Sequence, residues 1–436
     1  MQNFCVILRT KYFITMQNTK NLTFSMSVIG ALFFVFGFVT WLNSILMPYL
    51  ELTCNLNKFQ ASFVPFAFYI AYLVTAIPSS MVLKKTGFSN GMALGLIIMA
   101  IGAILFIPAA MTRTYMVFLT ALFIMGIGLS LLQTASNPYV TVLGPVESAA
   151  RRMSIMGICN KLAGIIGVLV LAHTLFSTTD GLVDQIKAME LTDPNREILL
   201  QQLSNKVIVP YLIITAILIA LVVFVKAAKL PEIQEENEVA EGEVSRKSIF
   251  SYPYLWLGVL AIFFYVGAEV IAIDYLKSYG SSLNLSDSIT NMLPAYALVA
   301  LIIGYLLGII TVPKIFSQRM ALTIQLLLAI VLVCVALFTH GIVSVIAIIC
   351  LSFAHAIMWP AIWPLSIHDL GKYTKLGSAF LIMAIAGGAV IPLIYGKLSL
   401  TYGPQPAYAL LFVCYAYILF FATIGCKIGV NKTTSL

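Results

Sequence analysis

Apolar residues in this chain come in runs of about twenty, separated by short polar breaks, from Ser27 to Lys427. A helix rising 1.5 Å per residue needs about 20 apolar residues to cross a hydrocarbon core roughly 30 Å thick. The rhythm predicts twelve spans, at 27–50, 59–83, 91–111, 115–142, 153–176, 207–226, 252–276, 291–313, 320–339, 342–366, 377–396 and 407–427. Two longer polar interruptions, 177–206 and 227–249, break it. The first is mixed in charge and predicts a short amphipathic helix around Leu182–Leu200. The second carries Pro231-Glu232-Ile233-Gln234-Glu235-Glu236-Asn237-Glu238 and reads as a flexible linker. It divides the chain into a tail (1–26), a six-helix bundle (27–226), the linker (227–251), a second six-helix bundle (252–427) and a tail (428–436).

The two halves echo each other. Leu143-Gly144 leads through Arg151-Arg152 to Ala163-Gly164, and Leu370-Gly371 leads through Lys372 and Lys375 to Ala386-Gly387. Gly37 and Gly267 each precede a polar residue by seven positions, Ser44 and Asp274. Two parallel six-helix repeats follow, an arrangement in which a substrate binds midway between the halves.

Composition agrees with a polytopic, all-α membrane protein: of 436 residues, 61% are hydrophobic and 10% charged, too little charge for a soluble surface. The net charge of +8 is an orientation signal, not a nucleic-acid footprint. With the N-terminus inside, Arg9, Lys11, Lys20, Lys84, Lys85, Arg151, Arg152, Lys226, Lys229, Arg246, Lys247, Lys314, Arg319, Lys372, Lys375, Lys427 and Lys432 are cytoplasmic. Only Lys58, Arg113, Lys187, Arg196, Lys206, Lys277 and Lys397 fall outside, so both termini are expected in the cytoplasm. No cleavable signal is evident, and Met16 is a candidate start. The seven cysteines are scattered without a CxxC pair, which leaves no disulfide framework or metal site to expect. GxSxG, HExxH and P-loop patterns are all missing, and no polar segment is long enough for a catalytic domain. No enzyme activity, cofactor or direct use of ATP is expected.

The chemistry lies inside the spans. A charge at the centre of a membrane helix costs roughly 2.5–3.5 kcal/mol on insertion scales, so Glu269, in Tyr265-Val266-Gly267-Ala268-Glu269-Val270, needs a paired, hydrated or proton-carrying role. Lys161 lies about 12 Å inside span five, too deep to snorkel. It either pairs with Glu269 or faces a wet cavity and donates to a ligand's hydroxyls. Asp274, nearer the span's outer end, reads as a solvated interfacial acid, with proton carriage as its other role. His355 is either a packing residue or a proton relay. Trp41, Asn43, Gln133, Asn137, Asn160, Trp359 and Trp363 complete the polar and indole set. Gln133 and Asn137, four apart, share one helix face. Amides donate and accept, and indole faces cover C–H surfaces, so the set suits a neutral polyhydroxylated ligand. The other reading of each amide is a bond between helices. Prolines at Trp359-Pro360, Trp363-Pro364 and Asn137-Pro138 predict bends beside a substrate path.

Three strings carry a resemblance: Phe36-Gly37-Phe38-Val39-Thr40-Trp41-Leu42-Asn43, Gln133-Thr134-Ala135-Ser136-Asn137-Pro138-Tyr139-Val140-Thr141-Val142-Leu143-Gly144-Pro145, and the Glu269 string. They resemble the fucose–galactose–glucose:proton symporter family of the major facilitator superfamily, over nearly the whole chain. The resemblance implies the major facilitator fold, alternating access, a monomer in the bacterial inner membrane, and uptake of a hexose with a proton. Fucose transporters of the family carry carboxylates at the positions of Ser44 and Gln133. Both are neutral here, which is similar to the glucose/galactose branch and moves the expected coupling to Glu269. The loop Lys84-Lys85-Thr86-Gly87 lacks the superfamily's acidic residue. The competing readings are an uncoupled facilitator, an importer of fucose or N-acetylglucosamine, and a membrane sugar receptor that binds without transporting.

Overall fold

The computed structural model describes residues 24–142, 149–176, 181–190, 193–228, 248–312, 314–368, 370 and 373–430. Most of the expected N-terminal tail, with Met16, lies outside these residues. So do 229–247 of the linker, Leu143-Gly144-Pro145, Gly371-Lys372 and the last residues from 431 on. Among the described residues the regular structure is helical, with no strand.

Among the described residues, eleven helical stretches are long and apolar enough to cross a membrane. One of them, Lys58–Thr112, is two helices merged across Gly87, which gives twelve spans. They are α1 (Phe24–Thr53), α2 (63–86), α3 (88–112), α4 (Tyr115–Val142), α5 (Ala149–Phe176) and α6 (Ile208–Ala227). The second half supplies α7 (Pro253–Asp274), α8 (Leu293–Thr311), α9 (Gln318–Phe338), α10 (Ile342–Ile367), α11 (Leu376–Tyr402) and α12 (Pro404–Lys427). Helices satisfy their own backbone donors and acceptors, the condition for crossing lipid. Val209, Ile213 and Ile217 form an exposed apolar stripe on α6, a surface suited to hydrocarbon.

Two expectations change. Residues 84–90, expected as a loop, stay helical except at Gly87, whose φ of 75° and ψ of 172° turn the chain within one residue. The single amphipathic helix around Leu182–Leu200 is two short helices, Leu182–Ala188 and Pro194–Asn205. Asp193 caps the second by accepting from the Asn195 amide at 2.8 Å, with Pro194 at its first position.

Breaks in the spans gather where the polar residues lie. α1 is interrupted at Leu42, between Trp41 and Asn43. α10 is broken at Ala356–Ile357, because Pro360 has no N–H to return to that turn. α11 narrows to a 3₁₀ turn at Ala384–Ala386, just before Gly387-Gly388. α7 stops at Asp274, and a separate helix, Leu276–Ser282, continues after Tyr275.

Helices from the two halves meet along α5 and α8, α2 and α11, and α1 and α7. Within the first half, α1 crosses α5 so closely that a Cβ on Gly37 would overlap the Asn160 carbonyl. α7 and α11 repeat that crossing, with Gly387 against the Phe263 carbonyl. Because the obstacle at Gly37 is backbone, Gly37→Ala must push α1 and α5 apart. We expect a loss of at least about 1–3 kcal/mol, the usual cost of overpacking. Thermal unfolding of the purified variant in detergent reads it, and an unchanged melting temperature would contradict the close crossing.

Candidate functional site

The crossing of α1 and α5 fixes three neighbouring side chains. The Trp41 indole donates to Asn160 Oδ1 at 3.0 Å, and Asn160 Nδ2 donates to the Phe33 carbonyl at 3.4 Å. Ser44 donates to the Trp41 carbonyl at 2.7 Å, which satisfies an acceptor freed by the break at Leu42. Lys161, next along α5, then has little choice of position. Its Nζ lies 3.9 Å from the Trp41 ring centroid and 3.2 Å from Glu269 Oε1 on α7. Both charged side chains are buried. Of the two roles open to Lys161, the geometry displays the ion pair with Glu269, reinforced by a cation–π contact.

An aromatic wall continues from Glu269. Tyr265, one turn earlier on α7, lies 6.3 Å from Trp359, which stacks on Trp363 at 5.4 Å and 28°. The Trp363 indole nitrogen is buried without a partner. His355 meets Tyr265 edge to face at 6.1 Å, and its Nε2 hydrogen-bonds the Tyr415 hydroxyl at 2.7 Å. His355 is thus packed and bonded, although its Nδ1 has no partner.

Gln133 of α4 is half-buried and donates to the Tyr72 hydroxyl at 3.1 Å. Tyr72 stacks on Tyr69 at 6.4 Å and 27°, and the Tyr69 ring rests on Gly388 of α11. Asn137 is buried on the same helix as Gln133. Thr40 Oγ1, Asn43 Nδ2 and Ser136 Oγ are buried without hydrogen-bond partners. Buried polar atoms normally have partners, so this band of α1 and α4 carries unmet hydrogen-bonding capacity. Asp274 differs from expectation: it is wholly buried, not solvated, because α1, α11 and the Leu276–Ser282 helix pack around the end of α7.

The site residues therefore fall into a connected set (Trp41, Asn160, Lys161, Glu269, Trp359, Trp363, His355) and a flanking set on α1 and α4 (Asn43, Gln133, Asn137). Sequence reasoning missed Tyr69, Tyr72, Tyr265, Tyr305 and Tyr415. Spacing offered a signal for some: Tyr69 and Tyr72 are three apart, and Tyr265 is four before Glu269.

Both ends are narrow. At one, Ser62 abuts Gly396 and the Tyr275 hydroxyl donates to the Pro392 carbonyl at 3.2 Å. At the other, the Tyr305 ring covers Gly157. The cavities flanking the cluster at these ends measure about 10 and about 30 Å³. Ligand pockets run to roughly 300–1,000 Å³, so neither of these two cavities has room for a sugar.

Removing one partner of a buried ion pair costs about 3–5 kcal/mol, since the other charge is stranded. Lys161→Met and Glu269→Gln should each destabilise by that order. The double variant should cost clearly less than their sum. Unfolding of the three variants in detergent measures the coupling; strict additivity would remove the pair as a stabilising contact.

Comparison with known proteins agrees with this architecture. Residues 29–392 match the Major Facilitator Superfamily. The chain is 34% identical to a glucose/galactose transporter of Brucella abortus, covering 94% of this chain and 95% of that protein. It is 31% identical to the L-fucose-proton symporter of Escherichia coli, covering 93% and 94%. Its fold is similar to the crystal structure of the transporter FucP in the outward conformation, with TM-score 0.73, 29% identity, and 93% and 99% of the two chains covered. Twelve apolar helices, the inter-half ion pair and these likenesses lead to one assignment: the chain is a multi-pass membrane transporter that belongs to the major facilitator superfamily, within its fucose–galactose–glucose:proton symporter family.

Proposed function

We propose that this protein imports a hexose together with a proton, by alternating access of its two six-helix halves, 27–226 and 252–427. The observation that carries the reading is the Lys161–Glu269 pair, which joins α5 to α7 between the halves, beside amides and stacked indoles. The relatives' names, a glucose/galactose transporter and an L-fucose-proton symporter, support the substrate class. Neutral Ser44 and Gln133 favour glucose or galactose over fucose, on the family pattern. In this reading the partnerless groups of Thr40, Asn43, Ser136 and Trp363 bond sugar hydroxyls, and Trp359 and Trp363 face its C–H side. Gln133, Asn137 and Asn160 supply further donors and acceptors.

The acids available to carry the proton are Glu269 and Asp274. A potential of 100 mV supplies about 2.3 kcal/mol per charge, enough for roughly fifty-fold accumulation. The bound Lys161 gives a specific reason for a second reading, an uncoupled facilitator in which Glu269 is structural. Sugar entry without proton flux would select it.

The Lys/Arg distribution supports a cytoplasmic location for both termini, in a bacterial inner membrane. A cytoplasm-dependent reporter should be active after Leu436 and within 233–243, and silent within 180–200. Activity in the last fusion would reverse the orientation.

For the sugar, proteoliposomes should take up glucose or galactose in counterflow, and an imposed pH gradient should concentrate it. Gln133→Ala and Asn137→Ala should each weaken binding by about 1–3 kcal/mol, the cost of leaving a buried polar group unmet. Wild-type affinity in both variants would return these amides to helix packing. Failure to move any hexose in a panel containing fucose and N-acetylglucosamine would sink the transport reading.

A further inference from the structure

Asp274 is the last residue of α7, and its surroundings differ from those of Glu269 on every count. It is wholly exposed to protein and not at all to solvent. Both carboxyl oxygens lack a hydrogen-bond partner. No ion pair reaches it among the described residues. The nearest basic residue in sequence, Lys277, sets its ammonium 3.0 Å from the centroid of the Phe176 ring. Asp274 also sits at a helix C-terminus, where backbone carbonyls make negative charge unfavourable. Within electrostatic range are Glu269 on its own helix, Tyr275 beside it, Tyr69 from α2 and Lys161 from α5. Lys161 is the sole cation of these, and it is bonded to Glu269. An ionised carboxylate that no hydrogen-bond donor or ion-pair partner reaches is far too costly to bury.

Tyr275, the next residue, lines the cavity of about 10 Å³ at the Lys58 end, with Met47, Glu51, Lys58, Ser278 and Ser399. That is about the size of a single water.

We propose that Asp274 is the residue that carries the transported proton, while Glu269 stays held by Lys161. This inference rests on the sugar–proton reading above. Asp274 takes one proton from water as the Lys58 end opens, and the neutral acid allows α7 to close against α1 and α11. Opening of the other end admits water, the O–H bond breaks, and the proton leaves to the inside with no other covalent change. A carboxylate left behind has to be reprotonated before the closed form can be regained, which ties sugar movement to proton movement.

The test begins with the wild-type protein in proteoliposomes, where an imposed pH gradient either concentrates sugar or does not. Failure at this step removes coupling altogether and overturns both readings. If wild type does concentrate sugar, Asp274→Asn, which mimics the protonated acid, decides between the two carboxyls. It should drop the accumulation ratio to about one, the value for transport with no driving force. Counterflow should stay within about twofold of wild type, and the pH dependence of sugar KM should vanish. Accumulation retained by Asp274→Asn would overturn the proposal and leave the sugar–proton reading standing with Glu269 as carrier. Infrared spectra of wild-type protein give a readout that needs no variant. A carbonyl band of a protonated carboxylic acid should move when aspartate carboxyls are ¹³C-labelled and stay when glutamate carboxyls are. The reverse labelling result would place the proton on Glu269 and overturn the assignment.

Discussion

A lysine and a glutamate that face each other, both buried, hold one another in place. Neither Lys161 nor Glu269 is tolerable alone at that depth, because transfer of a bare charge into a low-dielectric interior costs far more than a helix contact returns. At 3.2 Å the pair removes that cost only if both side chains are aimed, and the surrounding structure does the aiming. Gly37 lets α1 lie on the backbone of α5; that approach puts Trp41 within reach of Asn160, and the same indole then backs Lys161. The chemistry in the centre is therefore a consequence of how closely two helices cross.

The contacts that close the two ends are of another kind. Ser62 on Gly396 and Tyr305 on Gly157 are van der Waals fits between small and flat surfaces. Such contacts are individually weak and either fully made or fully lost, so they suit interfaces that separate and re-form. The stronger electrostatic contact, between Lys161 and Glu269, lies between them. Helix breaks at Leu42, Ala356–Ile357 and Ala384–Ala386 share the level of the polar residues and provide the freed backbone groups that local bending needs.

The spans were legible because a bilayer enforces length and apolarity so strictly that the pattern survives without tertiary information. Glu269 and Lys161 stood out for the same reason, as charges in the wrong solvent. Their contact was not legible: they are 108 residues apart, on helices whose rotation depends on packing. Asp274 was misread as solvated because distance along a span predicts depth, whereas burial depends on what lies beside the span. The tyrosines were missed because a tyrosine in an apolar run breaks no pattern, and its hydroxyl matters only once a partner such as Gln133 is opposite. Gly87 looked like a loop residue; one left-handed residue sufficed to separate two helices.

Two acids on one helix invite the idea of a single shared function, but their spacing argues against it. Five residues apart, Glu269 and Asp274 point about 140° away from each other around α7. One faces α5 and its lysine. The other faces the packed end of the helix, where Tyr69 and Tyr275 are its neighbours. The cation that bonds the first makes no ion pair with the second among the described residues. In the proposed cycle, a helix built this way separates two tasks that a single carboxylate would have to combine: keeping a charge in place to join the halves, and surrendering a charge so that they close.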